Sequence, residues 1–189
     1  MHSFSAMQTY VILLRGVMPT GRNKVPMAQL RVVLAAAGLA DVQTYIQSGN
    51  VLARSGLERA SLERLVHETI AKEIGADIAV IARTAVEYQR VLQVNPFPQT
   101  DSARVYFSLL AAPPGPKLLE EFLAIDFAPD VVKVIGDVIY TLYATRQSDS
   151  RFHNNFFESK LRVAATTRNF NTDRKSTRLT SSHRIRTRM

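Results

Sequence analysis

Two short polar stretches hold the residues best suited to chemistry. Arg15-Gly16-Val17-Met18-Pro19-Thr20-Gly21-Arg22-Asn23-Lys24 follows the apolar run Tyr10–Leu14, and Gln47-Ser48-Gly49-Asn50 separates the apolar runs Val42–Ile46 and Val51–Ala53. Arg15, Arg22 and Lys24 supply positive charge. Gln47, Ser48 and Asn50 supply directional donors and acceptors. Gly16, Gly21 and Gly49 let backbone N–H groups come close to a ligand. Such a set suits an anion, a phosphate group above all, because cationic side chains and main-chain N–H groups make charge-assisted hydrogen bonds to its oxygens. A second account of the same residues stands beside it. Gly49 and Asn50 are what any tight turn needs, and Gly16 and Gly21 can serve only to shape a loop.

No reaction is written in these stretches, and the catalytic residues stay unknown. Gly16 and Gly21 have the spacing of a phosphate-binding P-loop, but Arg22 stands where that motif requires Lys followed by Ser or Thr. Ser48-Gly49-Asn50 matches one element of the penicillin-recognising enzymes, without the Ser-x-x-Lys and Lys-Thr-Gly elements that chemistry needs. Cysteine is absent, which excludes disulfides and thiolate metal sites. The histidines His2, His67, His153 and His183 form no metal-ligand pair, and His67 is read as part of a solvated helix face. No metal site and no cofactor motif is expected.

The elements that must position these residues follow from periodicity. Tyr10–Leu14 is a buried strand, and Met27, Leu30, Val33, Leu34 and Ala37 have helical spacing behind Pro26. The runs around Gln47–Asn50 make a hairpin. Ser55-Gly56-Leu57-Glu58 has capping-box spacing before a second helix, and Ile78–Ile81 is a fourth strand. Thr84-Ala85-Val86-Glu87 is a second capping box, opening a helix that Asn95-Pro96-Phe97-Pro98 ends. Further on come a strand at Arg104–Leu110, a helix at Pro116–Ile125, and a hairpin around Gly136-Asp137. A last helix carries Phe156, Phe157 and Leu161, with the phenylalanines as core. The order is β-α-β-β-α-β, then β-α-β-β-α, with no repeat of sequence. The expected fold class is α+β: two ferredoxin-like (βαββαβ-type) α/β plait halves packed together. The divisions are 7–83 for the first half, 84–101 for a connecting helix and linker, 102–172 for the second half and 173–189 for a tail.

Strand direction then brings the two polar stretches together. Strands joined through a helix run parallel, so the first and second strands point the same way. Both stretches leave carboxyl ends at one edge of the sheet, where the first helix also begins with unbonded N–H groups. Thr167 is expected to cap a further helix, with Arg168 either a second anion donor or a solvent-facing side chain.

Composition bounds the partners. The chain has 189 residues, 46% of them hydrophobic, and a formal net charge of +8. Much of that charge lies in the tail, where Arg174, Lys175, Arg178, Arg184, Arg186 and Arg188 meet one acid, Asp173. The tail has little apolar surface, so it is expected to be disordered. Its stretch Asp173–His183 resembles a translated adapter oligonucleotide, so the basic pI is no argument for nucleic acid. No run is long enough to span a membrane. The expected location is cytoplasmic, and the expected partner is a nucleotide or other anionic small molecule. Nucleic acid is weakly supported, and the oligomeric state is open. An enzyme using Ser48 or Lys24 on a small anionic substrate, and a structural or partner-binding protein, are the alternatives.

The five segments Leu13–Gly16, Gly21–Met27, Tyr45–Asn50, Asn95–Phe97 and Ala165–Asn169 together resemble the family called domain of unknown function 1697. The resemblance runs from about Met7 to Thr172. It implies a two-half α/β-plait protein of bacterial type without an established activity. In that family the Arg168-Asn169 region leads into a last helix, and the sequence from Asp173 departs from it.

Overall fold

The computed structural model describes residues 6–45, 49–98 and 100–171. The chain divides into two compact units, with the change between Tyr88 and Gln89. Each unit is one four-stranded antiparallel sheet with helices, giving an α+β fold in two halves.

In the first unit the elements are β1 (Gln8–Leu14), α1 (Met27–Ala36), β2 (Ala40–Tyr45), β3 (Asn50–Ser55), α2 (Arg59–Glu73) and β4 (Val80–Thr84). The sheet order is β2-β3-β1-β4. Alternate residues of β1 lie on opposite faces. Tyr10, Ile12 and Leu14 meet Leu30 and Leu34 of α1 and Leu62, Val66 and Ile70 of α2 in one core. The helical stripes on α1 and α2 are therefore what covers the sheet.

A third helix, α3 (Ala85–Gln93), starts at the second capping box. Glu87 N–H donates to Thr84 Oγ1 at 3.2 Å, and Thr84 N–H donates back to Glu87 Oε2 at 2.8 Å. The first box fails: α2 is entered at Glu58 without a side-chain cap, because the Ser55 hydroxyl accepts from Leu57 N–H instead. That local bond closes a turn two residues on and leaves Ser55 out of reach of the helix.

The second unit holds β5 (Val105–Leu110), α4 (Pro116–Leu123), β6 (Val131–Ile135), β7 (Val138–Leu142), α5 (Asn154–Leu161) and β8 (Ala165–Asn169), in sheet order β6-β7-β5-β8. Its core joins Leu110, Phe122, Phe127, Ile139, Phe152, Phe157 and Leu161. The strand β8 corrects the sequence reading, which ended this half on a helix and made Thr167 a helix cap. Ala165-Thr166-Thr167-Arg168-Asn169 lacks an apolar run, yet it pairs antiparallel with β5 over its whole length. Its threonines are β-branched and suit a strand. The half is thus a complete βαββαβ unit.

The two units share a framework residue for residue at one edge. Leu14 pairs with Val80, and Leu110 pairs with Ala165. Leu14 N–H donates to Gly49 O and Leu110 N–H to Asp137 O, each at 2.9 Å. Arg15 N–H donates to Ala79 O at 3.0 Å, and Ala111 N–H to Ala164 O at 2.9 Å. Arg15 and Ala111 are therefore equivalent positions, and so are Arg83 and Arg168.

Candidate functional site

The edge begins with Arg15, half-buried at the end of β1 and tied through its N–H to the residue preceding β4. Gly16 then turns the chain with φ 67°. The loop is braced by its own amides: Asn23 Nδ2 donates to Gly16 O at 3.2 Å, Met18 N–H to Asn23 O at 3.0 Å, and Lys24 N–H to Gly21 O at 3.2 Å. Gly21 supplies the second left-handed turn, with φ 83°. Val17 packs inward on the core, whereas Arg22 and Lys24 are exposed. Val25 and Met27 are buried and anchor the exit. The loop is held at both ends and across its middle, with Arg22 and Lys24 outward.

Helix α1 starts directly from this loop. Pro26 occupies its N-cap without a side-chain cap, and its first turn holds no acidic residue. The N-terminal N–H groups of a helix favour negative charge. Here no carboxylate of the helix's own first turn offsets that preference.

The second polar stretch meets the first. Gly49 is buried with φ 80°, and its carbonyl receives Leu14 N–H. A Cβ on Gly49 would lie 2.8 Å from Val17 Cγ2 and 2.9 Å from Leu14 Cβ. The turn therefore rests directly on the loop and on the end of β1, and only glycine fits at the contact. Asn50 differs from the sequence reading: it is the first residue of β3, paired with Leu13 and Tyr45, and is 3% exposed. Gln47 and Ser48 lie outside the described residues.

Arg168 lies in the second unit, on β8, and is 8% exposed rather than solvent-facing. Its Nη1 donates to Thr166 Oγ1 at 2.8 Å and to Thr167 O at 2.9 Å. The equivalent Arg83 on β4 is 3% exposed and donates to Ala82 O at 2.8 Å. These twin arginines are each hydrogen-bonded to the carbonyl of the residue before it. Sequence reasoning missed Arg83; Val80-Ile81-Ala82-Arg83-Thr84 set against Ala165-Thr166-Thr167-Arg168-Asn169 is the sign that could have found it.

His67 is half-buried rather than solvated, with Nδ1 2.9 Å from Ile78 O and Nε2 3.6 Å from Asp77. Glu63 is partly buried, and desolvation holds its carboxyl above the usual range, opposed by the hydrogen bond from Ala82 N–H and by Arg59 and Arg83. Burial likewise pushes the Tyr140 hydroxyl up to about 12, and that hydroxyl donates to Val91 O at 2.7 Å. Among the described residues no group of three or more His, Asp or Glu side chains is placed to hold a metal ion. No described helix is long and apolar enough to cross a membrane.

One comparison bears on the fold and another on the family. A solved structure described as conserved bacterial protein SP0830 from Streptococcus pneumoniae is similar at a TM-score of 0.73 and 23% identity, over 92% of this chain and 98% of that one. At that identity the likeness is one of fold. No curated protein matches the sequence. A family model described as protein of unknown function (DUF1697) matches residues 7–140, which include both polar stretches and most of the framework. The chain belongs to the DUF1697 family.

Proposed function

We propose that the edge formed by Arg15–Lys24 and the Gln47–Asn50 turn binds a phosphate-bearing or other anionic ligand, a nucleotide being the leading class. One observation carries this reading. The fold closes the equivalent edge of its second unit with Ala111-Ala112-Pro113-Pro114-Gly115 and the Gly136-Asp137 turn, so the framework needs neither a long loop nor cations there. The first unit has both. Arg22 and Lys24 project from a loop braced by Asn23, and α1 begins beside them without an acidic cap. In a complex, Arg15, Arg22 and Lys24 would neutralise phosphate oxygens. N–H groups near Gly16, Gly21 and Gly49 would come close to the same oxygens, and Gln47 and Ser48 would orient the ligand.

A panel of adenosine triphosphate, inorganic pyrophosphate and a short single-stranded DNA, titrated calorimetrically at two salt concentrations, tests the reading. Binding should weaken with salt. Arg15→Ala and Lys24→Ala should each cost about 1.5–3 kcal/mol of binding while changing stability by ~1 kcal/mol or less. Ser48→Ala separates binding from catalysis: a donor loses about 1 kcal/mol of affinity, whereas a nucleophile loses turnover with binding retained. Equal affinities in wild type, Arg15→Ala and Lys24→Ala would refute the anion site.

A further inference from the structure

Each sheet exposes two edge strands, and unpaired edge main chain attracts other strands unless it is protected. Three of the four edges are protected by visible devices. On β4, Glu63 Oε1 accepts from Ala82 N–H at 2.7 Å, Arg83 donates to Ala82 O, and Glu87 accepts from Thr84 N–H. On β8, Glu158 Oε1 accepts from Ala165 N–H at 2.8 Å, and Arg168 donates to Thr167 O. On β2 the register slips between Ala40 and Gln43, with Asp41 at φ 53°. Such a bulge bends an edge away from pairing.

The edge of β6 has none of these. It pairs with β7 through five consecutive positions without a slip, and Ile135 and Val138 close a two-residue turn. Residues flanking such a turn are hydrogen-bonded to each other, and bonding alternates from there. Val131, Lys133 and Ile135 therefore bond to β7, and Val132 and Val134 direct their N–H and C=O groups outward. Among the described residues no partner meets those groups. The Val132 and Val134 side chains pack on the core, which fixes the strand. On the opposite face Val131 is 44% and Ile135 42% exposed, with Lys133 between them, its ammonium 5.1 Å from the Phe97 ring centroid.

We propose that the outer edge of β6 receives an extended segment of a partner protein by strand addition, with an acidic residue facing Lys133 and apolar residues facing Val131 and Ile135. Main-chain bonds at Val132 and Val134 give affinity, and the Val-Lys-Ile face gives selectivity. A second copy fits poorly. Antiparallel self-pairing through Val132 and Val134 in its fullest register sets Lys133 opposite Lys133, and like charges directly opposite destabilise a strand pair.

Two capped peptides test this on the full chain: Thr-Val-Thr-Glu-Thr-Val-Thr and the same peptide with Lys at its centre. The Glu peptide should slow hydrogen exchange at Val132 and Val134 and bind about threefold to thirtyfold more tightly than the Lys peptide. Lys133→Glu should reverse the preference. Val134→Pro removes an outward N–H without touching the ladder to β7, so it should abolish binding of both peptides. A thermal melt checks that variant, and the reversal by Lys133→Glu stands without it. Unchanged exchange at Val132 and Val134, equal affinity for the two peptides, or dimerisation through β6 in sedimentation would each overturn the proposal.

Discussion

The two halves solve one structural problem with unequal means at the same edge. After Leu110 the chain needs only Ala111–Gly115 to reach α4, with Pro116 starting the helix. After Leu14 it takes the longer path from Arg15 to Pro26, with two left-handed glycines, three cations and a bracing asparagine. The hairpins differ in the same way. Between β6 and β7 there is a two-residue turn on an open surface, whereas Gly49 is wedged against Val17 and Leu14. The helix-facing cores, by contrast, both join sheet residues to two helices, mainly aliphatic in the first unit and rich in phenylalanine in the second. Where one framework carries two different edges, the framework cannot be the reason for the difference. The extra loop and its cations are the difference on which the proposed anion site rests.

The largest expected effect comes from the glycines that mark this contrast. Gly49→Ala combines a left-handed backbone with contacts of 2.8 and 2.9 Å that must relax, at a cost of about 2–5 kcal/mol. Gly136→Ala, at φ 62° with nothing within 4 Å, bears only the backbone term of about 1–2 kcal/mol. Urea unfolding of both variants measures the gap. Equal losses would mean that the Gln47–Asn50 turn does not rest on the Arg15–Lys24 loop.

A smaller effect tests where the halves agree. Arg83→Met and Arg168→Met each leave an edge carbonyl without its guanidinium, which costs about 1–3 kcal/mol. The two losses should be alike, and neither should alter ligand affinity at the loop. A selective loss of binding in Arg168→Met would show that Arg168 serves the ligand as well as the strand edge.

The smallest effect is a slope in stability against pH. The Glu63 carboxyl is held above its unfolded range by desolvation, so unfolding releases a proton between the two values. Its contribution should be fully present below the unfolded value and decline as pH rises through the folded one. Glu63→Gln, which keeps an acceptor for Ala82 N–H, should flatten the fall in melting temperature as pH rises from the ordinary carboxylate range to just above it. An unchanged profile would show that Glu63 is not desolvated in the folded chain.

Strands with apolar runs and helices with a regular stripe were legible in the sequence, as was the Thr84–Glu87 capping box. The same letters misled at Ser55, because a hydroxyl can satisfy the N–H two residues on as readily as one three residues on. Strand β8 was illegible because its residues are polar and its partner, β5, lies far back in the chain. The burial of Arg83, Arg168 and Asn50 was hidden for a related reason. Residue type suggests water, whereas sheet position decides exposure. The meeting of the two polar stretches was legible, since it needs only strand direction, and the close approach of Gly49 to Val17 realises it.

The central claim is that one of two equivalent edges is an anion site. Titrating the isotope-labelled full chain with inorganic pyrophosphate, with backbone amide resonances followed at both edges, tests it most directly. The account predicts saturable shifts at Gly16, Gly21, Arg22, Lys24 and the first turn of α1, weakened by salt, with Ala111, Ala112 and Gly115 unmoved. Equal shifts at the two edges, or none that saturate, would contradict it.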